Sequence, residues 1–130
     1  MKNFRDLKVW EKAHELTLKV YSATSTFRKK SYMVSQARFD DAAPSIAANI
    51  AEGCGRRGNG EFHRFLQIAS GSASELDCHL LLANDLKFLK QPQYQELSKE
   101  LLEVRRMLTG LIVKAEAERG QRTVNTSQNV

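Results

Sequence analysis

From Phe62 to Leu86 the sequence places apolar or small residues at alternating steps of three and four: Phe62, Phe65, Ala69, Ser72, Leu76, His79, Ala83 and Leu86. A helix advancing about 100° per residue gathers such positions into one stripe, whereas a strand repeats every second residue. A rod of this length with one oily side needs similar rods to cover it in water. The pattern predicts a helix over about 61–88 and obliges the rest of the chain to supply its partners. Small residues crowd its middle, in Ala69-Ser70-Gly71-Ser72-Ala73. Gly and Ser carry a helix-propensity cost, which predicts that another backbone approaches closely there.

Three further stretches share the periodicity. Leu7, Trp10, Ala13, Leu16 and Val20 predict a helix over about 7–23, with Asp6 as its N-cap. Phe39, Ala43, Ile46 and Ile50 predict one over about 33–52, which Pro44 should kink or interrupt because it has no N–H to donate. Tyr94, Leu97, Leu101, Val104, Leu108, Leu111 and Ala115 predict the last, starting near Pro92 and stopping before Gly120. Short connections around Gly55 and Lys90 make successive helices antiparallel, so the expected fold is all-α, an up-down-up-down four-helix bundle. Residues 1–119 are expected to form it, and the polar, aperiodic stretch 120–130 a disordered tail.

A chain of 130 residues, 42% of them hydrophobic, can bury a core without disulfide or metal staples. Cys54 and Cys78 are too few for a disulfide framework and read as free thiols of a cytoplasmic protein. The N-terminus has no apolar h-region, and the run Leu80-Leu81-Leu82-Ala83 is far too short to span a bilayer, so no membrane partner is expected.

The stretch Gly53-Cys54-Gly55-Arg56-Arg57-Gly58 has the G-x-G-x-x-G spacing of dinucleotide-binding loops. That loop works only after a parallel strand, which delivers the turn and points the next helix at the pyrophosphate. Here the preceding residues, Ser45 to Glu52, are helical in phase. The stretch reads instead as a turn, with Gly53 as a left-handed C-terminal residue and Gly58 or Asn59 capping the next helix. Arg56 and Arg57 are candidates for an anion site or, preferably, for pairing with Glu52 or a neighbouring subunit.

The net charge is +5, and its excess lies in the N-terminal quarter, where residues 1–32 hold eight cationic side chains against three acidic ones. On a helical projection Arg5, Lys8, Lys12 and Lys19 fall within an arc of roughly 60°, opposite the Trp10 stripe. With Arg28, Lys29 and Lys30 in the following connection, this ridge is a candidate track for the phosphate backbone of RNA or DNA. Glu11 and Glu15 dilute it, and solvated charged faces are common on amphipathic helices.

No cofactor or metal is expected. Glu11-x-x-His14 matches one element of a di-iron bundle, but such a site needs a second copy and two further carboxylates. Glu75, Cys78 and His79 share a helix and could hold a single metal, although a lone heptad histidine is more often a hydrogen-bonded core residue. Asn49, Glu52 and Glu75 border apolar stripes and are expected to form contacts that fix helix register or a subunit boundary. Trp10 reads as a packing or interface anchor.

Three segments together carry a family resemblance: Phe4-x-x-Leu7-x-x-Trp10-x-x-Ala13, then Ser45-Ile46-x-x-Asn49-Ile50-Ala51-Glu52-Gly53-x-Gly55-Arg56, then Glu61-Phe62-x-Arg64-Phe65-Leu66-x-Ile68-Ala69-x-Gly71-Ser72-x-x-Glu75-Leu76. From about Phe4 to Leu111 the chain resembles the four-helix-bundle proteins encoded in intervening sequences of bacterial large-subunit ribosomal RNA genes. The accessory variability determinant of diversity-generating retroelements looks like a relative. The resemblance implies a homo-oligomer, typically a pentameric ring, without catalytic activity; in the retroelement relative a basic surface serves a reverse transcriptase and nucleic acid. The chain departs from the family pattern at Arg38-Phe39-Asp40-Asp41, where two anions replace two cations, at Arg28 in place of Pro, and at Gly58 in place of Ser. The expected function is a non-enzymatic interaction platform, with purely structural assembly or a metal-dependent enzyme in the core as alternatives.

Overall fold

A computed structural model describes residues 3–27 and 36–128. A short 3-10 turn at Phe4–Asp6 leads into α1 (Lys8–Thr24), followed by α2 (Gln36–Gly55), α3 (Asn59–Asp85) and α4 (Gln91–Gln128). Each helix packs on its neighbours in sequence and α4 closes on α1, while among the described residues the backbones of the diagonal pairs stay more than 8 Å apart. This is the expected up-down-up-down four-helix bundle, with no strand among the described residues.

The predicted stripes supply most of the core, and Val9, Leu66 and Leu80, which lie beside those stripes, are buried with them. Leu16, Val20, Phe39, Ile46, Ile50, Leu66, Leu76, Leu80, Leu101 and Leu108 are almost wholly buried, each contributing roughly 1.5 to 3 kcal/mol through burial. One end of the bundle is closed by Phe27, whose ring meets Phe39 edge-on at 5.8 Å and Phe88 at 6.1 Å. Leu86 is the stripe position that fails: it sits at the C-cap of α3 and is 47% exposed. Lys87 turns left-handed there, at φ 63°. The Phe88 and Lys87 amides donate back to the carbonyls of Ala83 and Asn84, each at 2.9 Å, an arrangement that satisfies the last carbonyls of a helix.

Several local expectations are corrected. Asp6 does not cap α1; Leu7 holds that place in extended backbone without a side-chain bond, and Asn3 caps the preceding turn by accepting from the Arg5 amide at 3.0 Å. The expected start of the second helix at Met33 lies outside the described residues. Pro44 does not interrupt α2. The carbonyl its missing N–H would have engaged belongs to Asp40, and the Tyr21 hydroxyl lies 3.5 Å from that oxygen. Thr17 Oγ1 donates to the carbonyls of Ala13 at 2.8 Å and Ala43 at 3.2 Å, joining α1 to α2 near the same point.

Gly53 is not a left-handed cap, because α2 continues through it to Gly55. Its role is space: a Cβ there would stand 3.0 Å from Phe65 Cβ and 3.1 Å from Phe62 Cδ1 of α3. The left-handed residue of the turn is Gly58, at φ 87°, which holds the N-cap of α3 without a side-chain bond. Gly71, by contrast, has open space where a Cβ would go. In the small-residue cluster it is Ala69 and Ala73 that are buried, and Ser72 that meets Ser45 of α2 at 2.8 Å. Finally, Gly120 does not stop α4, whose helical backbone runs to Gln128. A glycine in a helix costs about 1 kcal/mol without forbidding its continuation.

Candidate functional site

The basic ridge of α1 is divided by its neighbours. Lys12 reaches across to Glu103 of α4 at 3.3 Å, and Lys19 pairs with Glu96 at 3.0 Å and with Glu100. Hydrogen bonds to Glu100 and then Glu96 hold the Lys19 ammonium above its ordinary value. Arg5 lies over the Phe4 ring at 4.5 Å and is exposed, as is Lys8. Lys12 and Lys19 therefore fasten the α1–α4 seam, where the chain has no covalent connection, while Lys8 faces solvent; Arg5 lies off α1, in the 3-10 turn before extended Leu7, so the helical projection that aligns it with the three lysines does not hold. Arg28, Lys29 and Lys30 lie outside the described residues. The seam's acidic half carries its own sequence signal, since Glu96, Glu100 and Glu103 recur at helical steps on one side of α4.

The turn between α2 and α3 is held by charged side chains. Arg56 bonds Glu52 at 2.7 Å one turn back, as expected, and also lies 5.2 Å over the Phe65 ring, which Arg64 approaches at 4.4 Å. Arg57 is exposed. The backbone before Gly53 is helical, so no strand delivers a dinucleotide loop here.

The three polar residues beside the stripes are all engaged within the chain. Asn49 Nδ2 donates to the Ser45 carbonyl at 2.8 Å and to Ser45 Oγ at 3.0 Å, extending the Ser45–Ser72 link that sets α2 against α3. Glu52 holds Arg56, and Glu75 accepts from His79 Nε2 at 3.3 Å. A second buried histidine, His63, donates from Nε2 to Glu116 at 3.0 Å and joins α3 to the distal half of α4. Among the described residues no group of three His, Cys, Asp or Glu side chains could hold a metal. Glu11 and His14 are both exposed; His14 stacks on half-buried Trp10 at 5.0 Å, and Phe4 meets that indole edge-on at 4.8 Å.

Large apolar side chains also remain in solvent. Leu18 and Tyr21 on α1, Ile68 and Leu81 on α3, and Leu102 and Val113 on α4 are between 37% and 58% exposed. No helix among the described residues is long and apolar enough to cross a membrane. The described surface thus combines ion-paired side chains with exposed charges such as Lys8 and Arg57 and with apolar edges.

The model of the family described as 23S rRNA-intervening sequence protein matches residues 5–110. The chain belongs to this family. No curated protein matches this family member. Among solved structures it is similar to a protein of unknown function from the S23 ribosomal protein family of Bacteroides thetaiotaomicron, at 23% identity and a TM-score of 0.72. The likeness covers 80% of this family member and 97% of the other chain and concerns the fold alone.

Proposed function

We propose that this family member works by association: a non-enzymatic, homo-oligomeric helical platform that presents its outer faces to partners. The observation carrying this reading is the apolar edge of α1. Trp10, His14 and Leu18 recur at four-residue steps, Tyr21 continues the edge, and Leu18 stays 57% exposed on a helix whose other face is fully covered. Apolar side chains left out of a core in this way mark association surfaces. A pentamer is the number implied by the family resemblance, and the cytoplasm is the expected setting.

Nucleic acid is the second partner class, supported by the cationic excess of the N-terminal quarter and by exposed Arg5 and Lys8. The engagement of Lys12 and Lys19 with α4 makes it the weaker reading. Light scattering at increasing protein concentration, with and without mixed RNA and DNA across a salt series, tests both. A mass several times 14.7 kDa that falls on Leu18→Glu is expected. A constant monomer mass would reject assembly, and nucleic-acid affinity that ignores Lys8→Glu would remove the ridge.

A further inference from the structure

We propose that the outer face of α3 and α4 around Leu102 docks an acidic amphipathic helix of a partner protein. The inference rests on the platform reading and names what the platform holds. A cleft of about 220 Å³ between the two helices is lined by Asp77, Tyr94, Ser98, Leu101, Leu102 and Arg105. Its rim is braced: Arg105 donates to Asp77 at 2.9 Å and to Ser74 Oγ at 3.3 Å, so this cation is already committed. Ser98 Oγ is shut off from solvent with no hydrogen-bond partner among the described residues. Leu102 stands 46% exposed at the cleft, and Leu81, one turn beyond Asp77 on α3, is 49% exposed.

The charges beside these leucines select the occupant. Lys99 and Arg106 lie about one turn on either side of Leu102 on the same outer side of α4, both exposed. Neither has an ion-pair partner among the described residues, whereas Lys12, Lys19 and Arg105 all do. The acid beside them at the cleft, Asp77, is taken up by Arg105. Apolar anchors flanked by free cations complement a ligand whose apolar stripe is bordered by carboxylates. Val113, 58% exposed, follows Leu102 along α4 by eleven residues, or about 16 Å. That is about three turns of a docked helix, the span over which anchors at three- and four-residue steps are read.

Fluorescence anisotropy on the full chain tests this with a dye-labelled synthetic peptide carrying leucines at three- and four-residue spacing and glutamates bordering that stripe. Saturable binding is expected. Leu102→Glu and the pair Lys99→Glu/Arg106→Glu should each weaken it at least tenfold without changing the thermal midpoint, and a peptide of the same composition with its leucines scattered around the helix should not bind. Equal affinity of the two peptides, or of wild type and variants, overturns the proposal. A fall in oligomeric mass on Leu102→Glu also overturns it, by giving this face to a second copy. Failure of the platform reading is a separate result, a monomeric wild type, and leaves the peptide comparison intact.

Discussion

Two glycines inside helices should respond oppositely to the same added methyl group. Alanine is favoured over glycine in a helix interior by about 1 kcal/mol. At Gly71 nothing lies within 4 Å of the new Cβ, so Gly71→Ala should stabilise the fold by roughly 0.5 to 1 kcal/mol. At Gly53 the same atom would stand 3.0 Å from Phe65 Cβ and 3.1 Å from Phe62 Cδ1. Phe65 Cβ is fixed to the α3 backbone, so relief requires the helices to separate. Overpacking of this kind costs typically about 1 to 3 kcal/mol, which outweighs the propensity gain and leaves a net loss of about 1 kcal/mol. The two variants should differ by about 2 kcal/mol, or roughly 6 to 12 °C in midpoint for a chain of this size. Thermal unfolding followed by far-UV circular dichroism, at one fixed protein concentration, measures it. A Gly53→Ala protein as stable as Gly71→Ala would refute the close approach of α2 to α3.

Two further perturbations probe single groups. Lys87 is exposed and left-handed at φ 63°, so Lys87→Gly should stabilise by about 1 kcal/mol in denaturant titration; a loss of stability would mean that the lysine side chain matters to the turn. Burial, and then the charge of Asp41, hold the Asp40 carboxyl above its ordinary value, and its Oδ1 has no hydrogen-bond partner among the described residues. The folded chain therefore takes up this proton more readily than the unfolded chain, and the group's contribution improves as pH falls through its folded value. Asp40→Asn should be more stable than wild type at neutral pH, with the gap narrowing as Asp40 protonates in acid; a gap independent of pH would refute that environment.

The local sequence determined that the chain forms four helices and most of the oily side of each, but not where α2 and α4 end, at Gly55 and Gln128. Leu97, Leu101, Val104 and Leu108 are buried on α4 as their spacing requires, and the absence of a strand before Gly53 could be read from the helical phase of Ser45 to Glu52. The tertiary structure decided what stands opposite each side. Gly53 and Gly71 look alike in the chain, yet one touches α3 and the other faces solvent. Lys12 and Lys19 read as a free ridge until α4 brings Glu103, Glu96 and Glu100 across from them. Periodicity specifies an angle around one axis; the distance to the neighbouring axis, and the side chains carried there, exist only once the helices pack.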